Sequence, residues 1–331
     1  MDIANWTKIE FEELLRDFIR KSLPPNIGFL RVKFEFYLKE KPLFEYSPSN
    51  NELNIKTDNQ EEVSNIVNCL DRSGLIEIDS TLMLSSVQGA FPHKSTGYFD
   101  WADWFLGYSS LYDYIIIDTN IIMNHYCSNL LFPKLKQRFE SLKIKIPRLT
   151  ILEIERIANE KESVKKRLGL FATTEVMFLK NHKAELLPSL SYPLLTSFNE
   201  KSGGRKVDSW IRQEVHDFVS EDLDVVRTGK PWQVLFMTCD IANGLAAYSE
   251  GLNTCIFSKC EQEKLIIPTS FNGANDLAEF ILNVSITFEK IIMKVYVDGK
   301  TLSNSYQIEG IWSGKTPYHW LNHCLRLQEI T

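Results

Sequence analysis

Tyr114-Ile115-Ile116-Ile117-Asp118-Thr119-Asn120 decides the reading of this chain. Its first four residues form a short, continuous apolar run, as expected of a parallel strand buried on both faces. The run ends on an aspartate and two short polar residues. Val234-Leu235-Phe236-Met237, followed by Thr238-Cys239-Asp240, has the same form. Ile144-Lys145-Ile146-Pro147 and Thr254-Cys255-Ile256-Phe257 are shorter strand candidates. Helical signals lie between these runs. One follows the first run to about Leu142, a second fills Ile151 to Leu187, a third covers Val207 to Val219 and a fourth covers Ala242 to Tyr248. Strands alternating with helices predict a doubly wound α/β fold over about residues 110–265.

In an open α/β sheet the ligand site lies at the carboxyl ends of the strands. Asp118 follows the first buried strand directly, and Asp240 follows the strand Val234–Met237 by three residues. Glu153 is expected in the first turn of the helix after the second strand, and Asp208 at the opening of a later helix. Each acid has an ordinary explanation. An Asp after a strand commonly caps the next helix, Glu153 suits a helix N-terminus, and Asp208 begins an acidic helix. Taken together, the four fall at the same end of their elements. Four such carboxylates repel one another unless a cation neutralises them, and Mg²⁺ or Mn²⁺ suits a hard oxygen site. Thr119, Asn120 and Thr238 are placed to orient these acids by hydrogen bonds. Glu155 rivals Glu153, but a two-residue offset puts them on different helix faces, and the spacing from Pro147 favours Glu153.

These residues resemble the PIN-domain nucleases. Ile115-Ile116-Ile117-Asp118-Thr119-Asn120 looks like the family's apolar strand followed by Asp-Thr-Asn. Ile146 to Ile154 resembles its strand, proline and helix glutamate. Val207-Asp208-Ser209-Trp210-Ile211 resembles its third acid, and Leu235 to Asp240 its strand followed by Thr-x-Asp. The resemblance covers about 150 of the 331 residues. It implies a PIN-like three-layer α/β/α fold and a metal-dependent endoribonuclease. In that reading Asp118, Glu153, Asp208 and Asp240 are catalytic and hold Mg²⁺ or Mn²⁺. The gap from Glu153 to Asp208 is longer than in the family's compact toxin-type members, so an insertion is expected there.

The flanks match no member of that family. Residues 1–105 read as an N-terminal α+β domain. It would hold an amphipathic helix from Trp6 to Ile19, a strand from Phe29 to Leu38, a helix from Glu61 to Leu70 and a linker from Gly89 to Trp104. Residues 276–331 read as a small β-rich module, with strands at Ile291–Val297 and Tyr306–Trp312 around an Asp298-Gly299 turn. His319 and His323 lie four residues apart, but no third ligand accompanies them.

With 37 Lys and Arg against 43 Asp and Glu, the net charge is −6. The distribution is uneven, since Lys134 to Lys183 holds thirteen bases and six acids. Lys161, Lys165, Lys166 and Arg167 are candidate phosphate contacts, as are Arg205 and Lys206 just before Asp208. Single-stranded RNA is the expected partner, and a protein partner or a second copy of the chain stays open. No apolar run approaches the roughly 18 residues of a membrane span. The N-terminus lacks a secretory pattern and the six cysteines form no Cys-x-x-Cys pair, so a cytoplasmic protein with reduced thiols is expected. Two other readings fit the acids less fully: a structure-specific DNA nuclease, and a non-catalytic RNA-binding or assembly protein on the same scaffold.

Overall fold

The computed structural model describes residues 4–7, 32–47, 52–75, 80–85, 89–94, 112–161, 164–187, 204–221, 234–258, 274–297, 300–312 and 323–330. In chain order, β1 (Ala4–Thr7), β2 (Val32–Leu38), β3 (Lys41–Ser47) and β4 (Glu52–Ile55) precede α1 (Gln60–Arg72). Then come β5 (Ser80–Ser85), β6 (Gly89–Lys94), β7 (Tyr114–Ile117), α2 (Thr119–Met123), α3 (Phe132–Leu135), β8 (Ile144–Ile146), α4 (Arg148–Ala158), α5 (Val164–Asn181) and β9 (Glu185–Leu186). They are followed by α6 (Gly204–Glu221), β10 (Val234–Thr238), α7 (Ile241–Ser249) and β11 (Asn253–Ser258). The chain closes with α8 (Ala274–Phe288), β12 (Lys290–Val297), β13 (Lys300–Trp312) and β14 (His323–Ile330).

The contacts divide the chain into two units. The first joins Met1–Ile76, Glu162–Phe171 and Gln262–Thr331, and the second joins Glu77–Lys161 and Ala172–Glu261. The first unit is built on an antiparallel sheet in the order β1-β14-β13-β12-β2-β3-β4. Phe34, Phe36, Phe44 and Tyr46 point to its buried side and meet Phe280, Ile281 and Val284 of α8. This corrects the expected pair of separate flanking domains, because β2 from one flank and β12 from the other are neighbours in one sheet. Local periodicity marks each strand but carries no record of which distant strand pairs with it. The C-terminal module also opens on a helix, α8, that its strand-rich reading omitted.

The second unit holds the sheet β6-β5-β11-β10-β7-β8-β9. Five strands, β11-β10-β7-β8-β9, pair in parallel, as the α/β reading predicts. β5 and β6 extend the edge in antiparallel fashion. Gly89–Lys94, expected as linker, is therefore a strand of this sheet. Side chains along β7 alternate between two cores. Ile115 and Ile117 join Leu235, Met237 and Phe257 on one side. Ile116 joins Phe236, Val207, Ile211 and Val215 on the other. Burying an isoleucine of this kind stabilises by about 1.5–3 kcal/mol, so the unbroken apolar run is a direct consequence of a sheet covered on both faces.

Among the described residues no helix is long and apolar enough to cross a membrane. The expected Trp6–Ile19 helix falls mostly outside the described residues, and its first two positions belong to β1. The Asp298-Gly299 turn also lies outside them.

Candidate acidic active site

All four acids lie in the second unit. β7 and β10 are parallel neighbours, with Ile117 opposite Met237, so Asp118 and the Thr238–Asp240 segment leave the sheet side by side. The backbone N–H of Asp118 donates to Met237 O at 2.9 Å, which fixes that exit.

Asp118 is 1% exposed. It caps α2 by accepting from the Thr119 backbone N–H at Oδ1, at 2.7 Å. Its Oδ2 accepts from Thr238 Oγ1 at 2.7 Å, Asn243 Nδ2 at 2.8 Å and Asn120 Nδ2 at 3.0 Å. Burial pushes its pKa up, while these donors pull against that shift. Three of its four donors crowd Oδ2 and one reaches Oδ1, so Oδ1 is the less occupied oxygen.

Thr119 and Asn120 tie the other parts together. Thr119 Oγ1 donates to Glu153 Oε2 at 2.7 Å. Asn120 donates to Thr238 Oγ1 at 3.0 Å and accepts from the Cys239 N–H at 2.8 Å. Thr238 Oγ1 also receives the Asp240 N–H at 3.1 Å. Asp240 is exposed and caps α7, its Oδ1 accepting from the Asn243 N–H at 3.0 Å. Asp118 and Asp240 are therefore helix caps as well as members of the acidic group.

Glu153 lies in the second turn of α4 rather than the first, since α4 starts at Arg148. Burial raises its pKa, and Arg156 Nη2 approaches Oε1 at 3.5 Å. Glu155 is exposed. Asp208 does not open its helix but sits in the second turn of α6. It is half-buried, and its pKa is pushed up to about 6, first by burial and then by the charges of Asp118, Glu153 and Asp240. The four acids are thus electrostatically coupled across four elements. Among the described residues, no three His, Cys, Asp or Glu side chains are drawn onto one point in the manner of a formed metal site.

Three residues of this neighbourhood escape the sequence reading. Asn243 joins Asp118 from α7. Arg212, one turn after Asp208, donates through Nη1 to Asn243 Oδ1 at 2.6 Å. Glu214 is 1% exposed and accepts from the N–H groups of Arg148 and Leu149 at 2.7 and 3.0 Å. It thereby caps α4, the helix of Glu153, from α6, the helix of Asp208. A polar residue at the third position of a helix that follows Thr-x-Asp is the one available signal for Asn243. Arg212 and Glu214 give none, because acids and bases on an exposed-looking helix carry no mark of burial.

Gly244 follows from close packing. A Cβ there would lie 2.5 Å from Ile256 Cδ1 and 3.1 Å from Thr238 Cγ2, so α7 reaches β10 and β11 only without a side chain at that position.

Lys161 is exposed and belongs to the second unit, whereas Lys165, Lys166 and Arg167 belong to the first. Arg167 also has a structural role. Its Nε and Nη2 donate to the carbonyls of Ile286 and Thr287 at 2.8 and 3.1 Å, closing the C-terminus of α8. Arg205 and Lys206 lie in the first turn of α6, and their side chains are outside the described set.

No curated protein matches the chain. A solved structure described as a domain of a functionally unknown protein from Methanocaldococcus jannaschii DSM 2661 is 18% identical, with a TM-score of 0.32. The match covers 46% of this chain and 96% of that one. The family model of the PIN domain matches residues 115–258, which run from β7 through β11 and contain all four acids. The middle region is thus similar to the PIN domain, and its five parallel strands flanked by helices are those of a PIN-like α/β fold.

Proposed function

We propose that this protein is a metal-dependent endoribonuclease whose acidic group is Asp118, Glu153, Asp208 and Asp240. The observation that carries the reading is Asp208, a half-buried carboxyl held up to about 6 partly by the charges of the other three. Such a group meets an anionic phosphodiester poorly without a cation, because four acids outweigh the two nearby bases, Arg156 and Arg212, and Arg212 is already paired with Glu250. The donor set is all carboxylate oxygen, which fits Mg²⁺ or Mn²⁺ and not a soft metal. These four residues would hold the ion, which when bound supplies Lewis acidity and a water of lowered pKa. The chain's own residues do the positioning. Thr238, Asn120 and Asn243 hold Oδ2 of Asp118, Oδ1 accepts only the Thr119 N–H and keeps an acceptor position, and Thr119 Oγ1 holds Glu153 at the end of β7.

The test is cleavage of end-labelled single-stranded RNA, and of DNA of the same sequence, with and without Mn²⁺. Metal-dependent internal cuts in RNA are expected. Cutting confined to DNA would replace the substrate, and no cutting of either would favour a binding protein on the same scaffold.

Phosphate contacts are assigned to Lys161, Lys165 and Lys166, with Arg205 and Lys206 before Asp208. Each phosphate neutralised makes the logarithm of affinity fall more steeply with salt, by about 0.7 for a single strand. Lys165→Ala with Lys166→Ala should flatten the salt dependence of RNA binding by about one such step or more. An unchanged slope would remove these lysines from the interface.

A further inference from the structure

We propose that Arg212 is a positioning residue for Asp118, acting through the side-chain amide of Asn243. The proposal rests on the metal-dependent reading of the acidic site and adds a residue to it. Arg212 is 8% exposed and Asn243 is 4% exposed. Arg212 Nη1 donates to Asn243 Oδ1 at 2.6 Å, and Asn243 Nδ2 donates to Asp118 Oδ2 at 2.8 Å. A guanidinium has only donors and an ionised carboxylate only acceptors. Placed between them, the amide has one orientation that satisfies both ends, with oxygen toward Arg212 and nitrogen toward Asp118. Reversal would set the amide oxygen against a buried carboxylate oxygen, which is costly in a dry site.

Arg212 is itself held. Its Nε and Nη2 donate to the two carboxylate oxygens of Glu250 at 2.8 and 2.9 Å, a bidentate pair with fixed geometry. His216 Nε2 stands 3.6 Å from the same carboxylate. The chain of contacts runs from Glu250 at the surface, through Arg212 on α6 and Asn243 on α7, to Asp118 at the end of β7. Arg212 lies four residues after Asp208 and Asn243 three after Asp240, so the same contact also links the two helices that carry those acids. With Oδ2 occupied, the open acceptor position of Asp118 stays on Oδ1. Without Arg212 the amide loses its fixed polarity and Asp118 loses its certain third donor on Oδ2.

The experiment is a double-mutant cycle on Mn²⁺ affinity, read by electron paramagnetic resonance on the full chain, with thermal unfolding as a check of folding. Arg212→Met and Asn243→Ala should each weaken Mn²⁺ binding about tenfold, the low end of the usual cost of losing a residue that supports a metal ligand. The double variant should be no weaker than the worse single one, because both changes break one path. Arg212→Lys, which keeps a donor, should recover most of the loss. Glu250→Ala should cost less than Arg212→Met, since Arg212 can still reach Asn243. A double variant weakened by the product of the two singles, or Glu250→Ala as damaging as Arg212→Met, would show a mere clamp between helices and overturn the proposal.

A second readout needs no metal. In metal-free protein labelled with ¹⁵N-asparagine, the side-chain amide signal of Asn243 should move in Arg212→Met and return toward its original place in Arg212→Lys. A signal that stays put in Arg212→Met overturns the proposal whatever the metal data show. A wild-type chain that binds no Mn²⁺ would instead count against the metal-dependent reading, and the amide signal would still decide the role of Arg212.

Discussion

Asp118→Asn should lower Mn²⁺-dependent RNA cleavage by about a thousandfold while the protein stays folded. Stabilisation of transition-state charge by a bound ion amounts to several kcal/mol, and about 4 kcal/mol corresponds to a factor of about a thousand. The substitution keeps the shape and removes the charge. Its amide must place one oxygen and one nitrogen where two oxygens stood. At Oδ2 three donors converge, so the nitrogen is driven to the Oδ1 side. There it meets the Thr119 N–H, which loses its acceptor. The lost cap costs about 1 kcal/mol, and relief of a buried charge offsets part of it. The unfolding midpoint should therefore move by a few degrees at most, which circular dichroism would show. Glu155→Gln is the matched control, because Glu155 is exposed on α4 while Glu153 meets Thr119. It should cut at the wild-type rate. Wild-type activity in Asp118→Asn would place the chemistry elsewhere, and loss of activity in Glu155→Gln would reverse the assignment of the two glutamates.

The parts of this site that could be read from sequence are those with a local signature. An apolar run bounded by Asp-Thr-Asn states both burial and the point where burial ends. The second such run, closed by Thr-Cys-Asp, states the same, and two parallel neighbours bring Asp118 and Asp240 to one edge. The ordinary reading of those aspartates as helix caps is also correct, and the two roles coexist in one side chain. A cap accepts one backbone N–H, which leaves the rest of the carboxylate available. What sequence could not supply was pairing at a distance. Arg212 and Glu214 look like surface charges on an acidic helix, and only the packing of α6 buries them against Asn243 and the start of α4. The same limit applies to the edges of the sheets. β5 and β6 carry nothing that says they will extend a parallel sheet in antiparallel fashion, and β2 carries nothing that names β12. Arg167 shows a further role that local sequence does not announce. Inside a run of bases it resembles a phosphate contact, yet its guanidinium closes a helix C-terminus.

Mn²⁺ should bind at least about tenfold more weakly at pH 5 than at pH 7. Asp208 carries the argument, with its pKa at about 6 against the usual 3.8. Without metal, the folded chain holds this proton more tightly than the unfolded chain does. Stability from this group is therefore greatest below about pH 4 and falls as pH rises to about 6, where like charges come together. Glu250 acts in the opposite sense. Arg212 holds its pKa below the ordinary carboxylate value, so its contribution is present above that value and lost only as pH falls below it, under the interval from pH 5 to pH 7. Metal binding needs Asp208 ionised, so the ion competes with the proton over the same window. At pH 5 a group with pKa about 6 is about nine-tenths protonated, which gives the tenfold loss. Asp118 and Glu153, both raised by burial, can only increase it. At a fixed saturating Mn²⁺ concentration the metal should thus stabilise the fold by about 1.4 kcal/mol more at pH 7 than at pH 5, a gain visible in thermal unfolding. Asp208→Asn separates this cause from the others. It should stabilise the metal-free protein at pH 7, weaken Mn²⁺ binding there and remove most of the pH dependence of what remains. A variant that keeps the full tenfold dependence would show that a different group gates the ion.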